Sequence, residues 1–118
     1  MAHHNITGNL GENMAVKYFA DKGYNIIQKN WRHKNWEVDL IASKNNTLHF
    51  IEVKTRRTAT FGYPEDDVGK RKIKYLMSAA EEFLLIFPEW KLIQFDILSI
   101  TMEKNKPYEF FFIEDVSI

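Results

Sequence analysis

Asp39, Glu52 and Lys54 stand inside two apolar segments, Trp36-Glu37-Val38-Asp39-Leu40-Ile41-Ala42 and Phe50-Ile51-Glu52-Val53-Lys54. Side chains alternate across a strand, so Glu37 and Asp39 share one face and Glu52 and Lys54 share another. The intervening Lys44-Asn45-Asn46-Thr47 reads as a tight turn, because asparagine tolerates the positive φ such a turn needs. A hairpin centred between Asn45 and Asn46 sets Asp39 opposite Glu52 and Glu37 opposite Lys54. Facing residues have Cβ atoms about 4.5–5.5 Å apart. Two carboxylates so placed repel each other unless a proton or cation lies between them. Oxygen ligands of this kind suit a hard divalent ion, Mg²⁺ or Mn²⁺, better than zinc. Lys54 can then orient or help to deprotonate a water at such an ion, and offset charge on a phosphate. The alternative is an exposed polar hairpin face with Glu37–Lys54 as a plain cross-strand pair. Val38, Leu40, Ile41, Ile51 and Val53 make both strands look buried and favour the ion site.

The elements that position these residues follow from periodicity. Thr7 can cap a helix with apolar positions at Leu10, Met14, Ala15, Tyr18 and Phe19, which Gly23 ends. Strands are expected over Tyr24 to Arg32, Glu37 to Ser43 and Leu48 to Thr55. A loop with Gly62 and Pro64 leads to a second helix that starts near Glu65-Asp66-Asp67. Its apolar stripe is Val68, Leu76, Met77, Ala80, Phe83, Leu84 and Phe87, and Pro88 helps to stop it. Lys91 to Ile100 and Tyr108 to Ile113 read as closing strands. The expected fold is α/β, a central mixed sheet flanked by helices in the order αβββαββ.

The chain has 118 residues, 45% of them hydrophobic, enough for one core, and we expect one domain over 1–118. It has no cysteine, which excludes disulfides, thiolate metal sites and a catalytic thiol. No apolar run approaches the length of a membrane span, and the amino terminus has no signal-peptide pattern, so a cytoplasmic protein is expected. His3 and His4 read as a frayed, exposed end. Net charge is zero, yet residues 1–74 carry an excess of five positive charges and residues 75–118 five negative. That split implies one basic and one acidic face.

Asp39, followed after a 12-residue gap by Glu52-Val53-Lys54, resembles the PD-(D/E)XK motif of restriction-endonuclease-like folds. The chain is similar in particular to the YraN-type family of predicted endonucleases, relatives of archaeal Holliday-junction resolvases. The likeness runs over roughly residues 8–98. It includes Gly11-Glu12 with Ala15, Gly23-Tyr24, Asn30-Trp31-Arg32, the two strand segments with Thr55-Arg56, Phe61-Gly62-Tyr63-Pro64, Val68 with Lys72, Ala79-Ala80 and Phe95-Asp96. The resemblance implies Asp39 and Glu52 as metal ligands, Lys54 as the catalytic lysine and Glu12 as a further acidic residue from the first helix. It implies Mg²⁺ or Mn²⁺ as cofactor and DNA, branched or junctional, as substrate. On spacing alone, Glu12 lies off the Leu10/Met14 line and also reads as an ordinary solvated helix acid. One departure is Trp36, where the family usually has glycine; its indole either narrows the site, stacks on a base, or packs locally.

Basic residues support a nucleic-acid partner: Arg56 and Arg57 follow the Lys54 strand, and Lys70, Arg71, Lys72 and Lys74 open the second helix. Lys72 is the preferred phosphate contact. No recognition helix or zinc finger is present, so binding reads backbone and shape rather than bases. Two other classes compete: a nuclease fold kept for DNA binding with cleavage weak or lost, and a small scaffold using the acidic third. Asp96 either joins the site or is structural. The Tyr108–Ile113 strand is aromatic on both faces, which fits either a covered sheet edge or a homodimer contact.

Overall fold

The computed structural model describes residues 6–57 and 70–116. The elements run α1 (Ile6–Asp21), β1 (Asn25–His33), β2 (Trp36–Lys44), β3 (Thr47–Arg56), α2 (Lys70–Ile86), β4 (Leu92–Thr101) and β5 (Glu109–Ile113). Five strands form one sheet in the order β1-β2-β3-β4-β5. The β3–β4 pair is parallel and the rest are antiparallel, so the sheet is mixed and the expected order αβββαββ holds. The start of the second helix at Glu65-Asp66-Asp67, the Gly62/Pro64 loop and His3 and His4 lie outside the described residues, as do the side chains of Thr7 and Lys70.

Each helix covers one face of the sheet. Ala15 and Phe19 of α1 are fully buried against Leu40, Ala42, Ile51, Leu98 and Ile100. Leu76, Ala79, Ala80 and Phe83 of α2 pack on Trp31, Val38, Ile41, Leu48 and Phe50. Three expected stripe positions miss the core: Leu10 is 41% exposed, Met77 40%, and Phe87, one residue past the end of α2, 37%. Met77 follows Leu76 by one residue, a rotation of about 100° around the helix, and Leu76 takes the buried position. Gly23 ends α1 with φ 89°, and Asn45 and Asn46 turn the hairpin with φ 52° and 65°. Lys22 and Gly23 close the helix through amides bonded to Phe19 and Ala20 carbonyls.

β5 is an edge strand. Phe110 stacks on Tyr18 of α1 with ring centroids 5.2 Å apart, and Phe112 meets Phe19 edge-on at 5.0 Å. Phe111, on the other face, stays half exposed. Asp96 is fully buried and structural in its contacts. It bonds His49 Nδ1 at 2.6 Å and accepts from Gln94 Nε2 and from the Asp115 amide, which ties the carboxy-terminal segment to β4. Among the described residues no helix is long and apolar enough to cross a membrane.

Candidate active site

The hairpin has the expected register, with Lys44 facing Thr47 and Leu40 facing Ile51. There the ladder stops. Asp39 and Glu52 come next, and at this point the strands part. The Asp39 carboxylate occupies the gap, accepting a hydrogen bond from the Val53 amide at 2.9 Å. The expectation that Glu37 faces Lys54 is overturned for the same reason: with the ladder ended, Glu37 turns to β1 and pairs with Arg32 Nε at 2.8 Å.

A parallel irregularity sits in β1. Lys29 faces Leu40 and Trp31 faces Val38, so Asn30 and Asp39 stand across from each other. Regular strands would put Val38 and Leu40 on one face, yet Val38 packs with the α2 cluster and Leu40 with the α1 cluster. Asn30 has φ 54°, in the left-handed region. Both strands change phase together at this opposed pair, and that frees Asp39 from the ladder.

The gap opens into a cavity of about 290 Å³ lined by Glu12, Glu37, Asp39, Glu52, Val53, Lys54, Thr55 and Lys72. The three expected carboxylates and Lys54 therefore share one site, and Lys72 joins them from α2. Glu12 is only 6% exposed, which excludes the solvated-acid alternative. It reaches the cavity because α1 lies tight against β3: a Cβ at Gly11 would overlap Thr55 Cγ2. Asn30 Nδ2 donates to Glu12 Oε1 at 2.9 Å.

Electrostatically the site is acidic and under strain. Burial pushes the Glu52 carboxyl up to about 8, with the Asp39 charge adding to it and Lys72 and Lys54 opposing. Burial also raises Asp39, against the Val53 amide, and the Glu12 charge raises it further. The Asp39 charge thus raises the cost of ionising Glu52, and the two carboxyl groups titrate as a pair. Lys72 Nζ lies 3.7 Å from Glu52 Oε2 and 4.9 Å from the centre of the Tyr75 ring. The hard oxygen donors of Asp39 and Glu52 suit a divalent cation as a pair, and among the described residues no group of three His, Cys, Asp or Glu side chains is arranged to hold a metal ion.

The matched family is described as "Uncharacterised protein family UPF0102", over residues 11–100. The chain belongs to this family. UPF0102 proteins similar to it include one from Flavobacterium psychrophilum, 39% identical over 106 residues, which cover 90% of this chain and 89% of that one. One from Bacteroides thetaiotaomicron is 41% identical over 105 residues, covering 89% and 87%. One from Syntrophomonas wolfei is 42% identical over 103 residues, covering 84% and 87%. The UPF0102 match takes in every carboxylate and lysine of the cavity and ends before β5.

Some site features escape the sequence reasoning. Tyr75 accepts a hydrogen bond from the Glu37 amide at 2.8 Å and donates to the Asn35 carbonyl at 2.9 Å, bracing the β1–β2 turn on α2. Trp36 packs against Tyr75 with centroids 5.0 Å apart and is absent from the cavity lining, so of its three expected roles local packing is the one observed. No spacing rule points to Tyr75. Asn30 carries a faint signal, an asparagine in the middle of a strand pattern.

Proposed function

We propose that the protein is a metal-dependent endonuclease that hydrolyses phosphodiester bonds of DNA. The observation that carries the reading is the buried Asp39–Glu52 carboxyl pair, set at a break in the sheet and faced by Lys54 and Lys72 in one open cavity. Asp39 and Glu52 would hold Mg²⁺ or Mn²⁺, with Glu12 as the third carboxylate. Such an ion supplies charge against the phosphate and makes a nearby water acidic. Lys54, exposed at the cavity mouth, orients that water and takes up charge on the phosphate oxygens. Lys72 balances the carboxylates in the metal-free protein and is at hand for the phosphate once a cation replaces it. Arg56 ends β3, Arg57 follows it and Lys70 begins α2, so basic residues flank the site in the chain. The restriction-endonuclease-like topology, a mixed sheet with a helix on each face, supports the same reading. Trp36 leaves the cavity unobstructed, which argues against a fold kept for binding alone.

Linear, flap and four-way-junction DNA incubated with Mg²⁺ or Mn²⁺ tests the proposal. Cutting of at least one substrate is expected, with loss in Asp39→Ala and Lys54→Ala. Intact DNA throughout, or variants as active as the wild type, overturns it.

A further inference from the structure

We propose that Asn30 is the positioning residue of this site, setting the Glu12 carboxylate for a divalent cation through a left-handed backbone bend and one side-chain amide. The inference rests on the metal-site reading above. It starts from two unfavourable features of one residue. Asn30 is a non-glycine residue at φ 54° within a nine-residue strand, and its buried Oδ1 lacks a hydrogen-bond partner. Backbone outliers and half-satisfied buried amides persist where the surroundings demand them, and they gather at functional sites.

What they achieve here can be traced atom by atom. In a regular strand Lys29 and Asn30 point to opposite faces. Across the bend both reach α1: Lys29 Nζ donates to Asn13 Oδ1 at 2.9 Å and Asn30 Nδ2 donates to Glu12 Oε1 at 2.9 Å. Neighbouring residues of the strand thus grip neighbouring residues of the helix. Trp31, past the bend, goes to the α2 core instead. The same bend faces the phase change at Asp39, so one residue serves two carboxylates of the cavity, one through its backbone and one through its amide. Asparagine is suited to both tasks, because it enters the left-handed region more easily than most residues and carries a donor.

Asn30→Gly separates the tasks, since glycine keeps the left-handed bend and removes the amide. Calorimetric titration of the full chain with MnCl₂ reads the metal, and thermal unfolding followed by circular dichroism reads the fold. Outer-shell partners of metal ligands are worth about 10- to 100-fold in affinity, and a loss of that size is expected in Asn30→Gly. Its melting temperature stays near that of the wild type, whereas Asn30→Ala, strained at φ 54°, melts lower. In a Glu12→Gln background the glycine substitution adds nothing to the loss, because Asn30 acts through Glu12. Wild-type affinity in Asn30→Gly, additive losses in the double variant, or Asn30→Ala as stable as Asn30→Gly overturns the role of Asn30 and leaves the nuclease reading standing. If the wild type binds no Mn²⁺, or Asp39→Asn binds as well as the wild type, the metal site itself is refuted and this inference with it.

Discussion

Replacing Glu52 by glutamine should flatten the pH dependence of stability in the metal-free protein. The Glu52 carboxyl ionises near 4.5 in an unfolded chain and at about 8 in the folded one. Between those values the folded state keeps a proton that the unfolded state has lost, so stability falls as pH rises and levels off above 8. At about 1.4 kcal/mol per pH unit the full span is on the order of 5 kcal/mol. Between pH 6 and pH 8 the loss is about 2 kcal/mol, or roughly 8 °C in melting temperature for a domain of this size. Glutamine is close to glutamate in size but carries no charge. The variant should lose less than half as much as the wild type over the same range, the remainder coming from Asp39, whose carboxyl is also raised by burial. Thermal melts at pH 6, 7 and 8 in chelator decide the matter, and parallel curves for the two proteins refute the reasoning. Saturating Mg²⁺ should flatten the wild-type curve as well, since a bound cation would take the place of the proton on Glu52.

Gly11→Ala should destabilise the fold by about 1–3 kcal/mol, because its methyl overlaps Thr55 Cγ2, and Thr55→Ser should restore most of the loss in chemical denaturation. Lys72→Ala should weaken DNA binding on every sequence alike and lower the slope of log affinity against log salt by about one, read by fluorescence anisotropy. For assembly, half-exposed Phe111 on the edge strand β5 leads us to expect a homodimer, and a clean 14.0 kDa species in sedimentation equilibrium, with and without DNA, refutes it.

Much of the fold was legible because local signals agreed. The Asn45–Asn46 turn set the hairpin register as far as Leu40 opposite Ile51, and Asp39 and Glu52, next in line but past the end of the ladder, line one cavity. Strand regularity is where sequence and structure part. Glu37 was expected against Lys54, but the bend at Asn30 and the parting at Asp39 break the two-residue period on which that pairing depends. Glu12 was ambiguous for a different reason. Its helix pattern alone makes it a surface acid, and only the close approach at Gly11, a tertiary fact, buries it. Tyr75 was invisible because its hydroxyl bonds two backbone groups some 40 residues away, and no local rule relates such positions.

The mixed character of the sheet also orders the assembly of the site in time. β1, β2 and β3 form an antiparallel meander with short connections, so Asn30, Asp39, Glu52 and Lys54 meet through contacts of low sequence separation. The parallel β3–β4 pair closes only across the long crossover that contains α2, and such non-local pairings are the slow part of folding. On that topology the carboxylates are expected to gather before the Lys72 ammonium arrives from the crossover helix to balance them. An acid pair awaiting its counter-charge is easier to close at low pH, so the folding rate, as well as the folded state, should respond to pH.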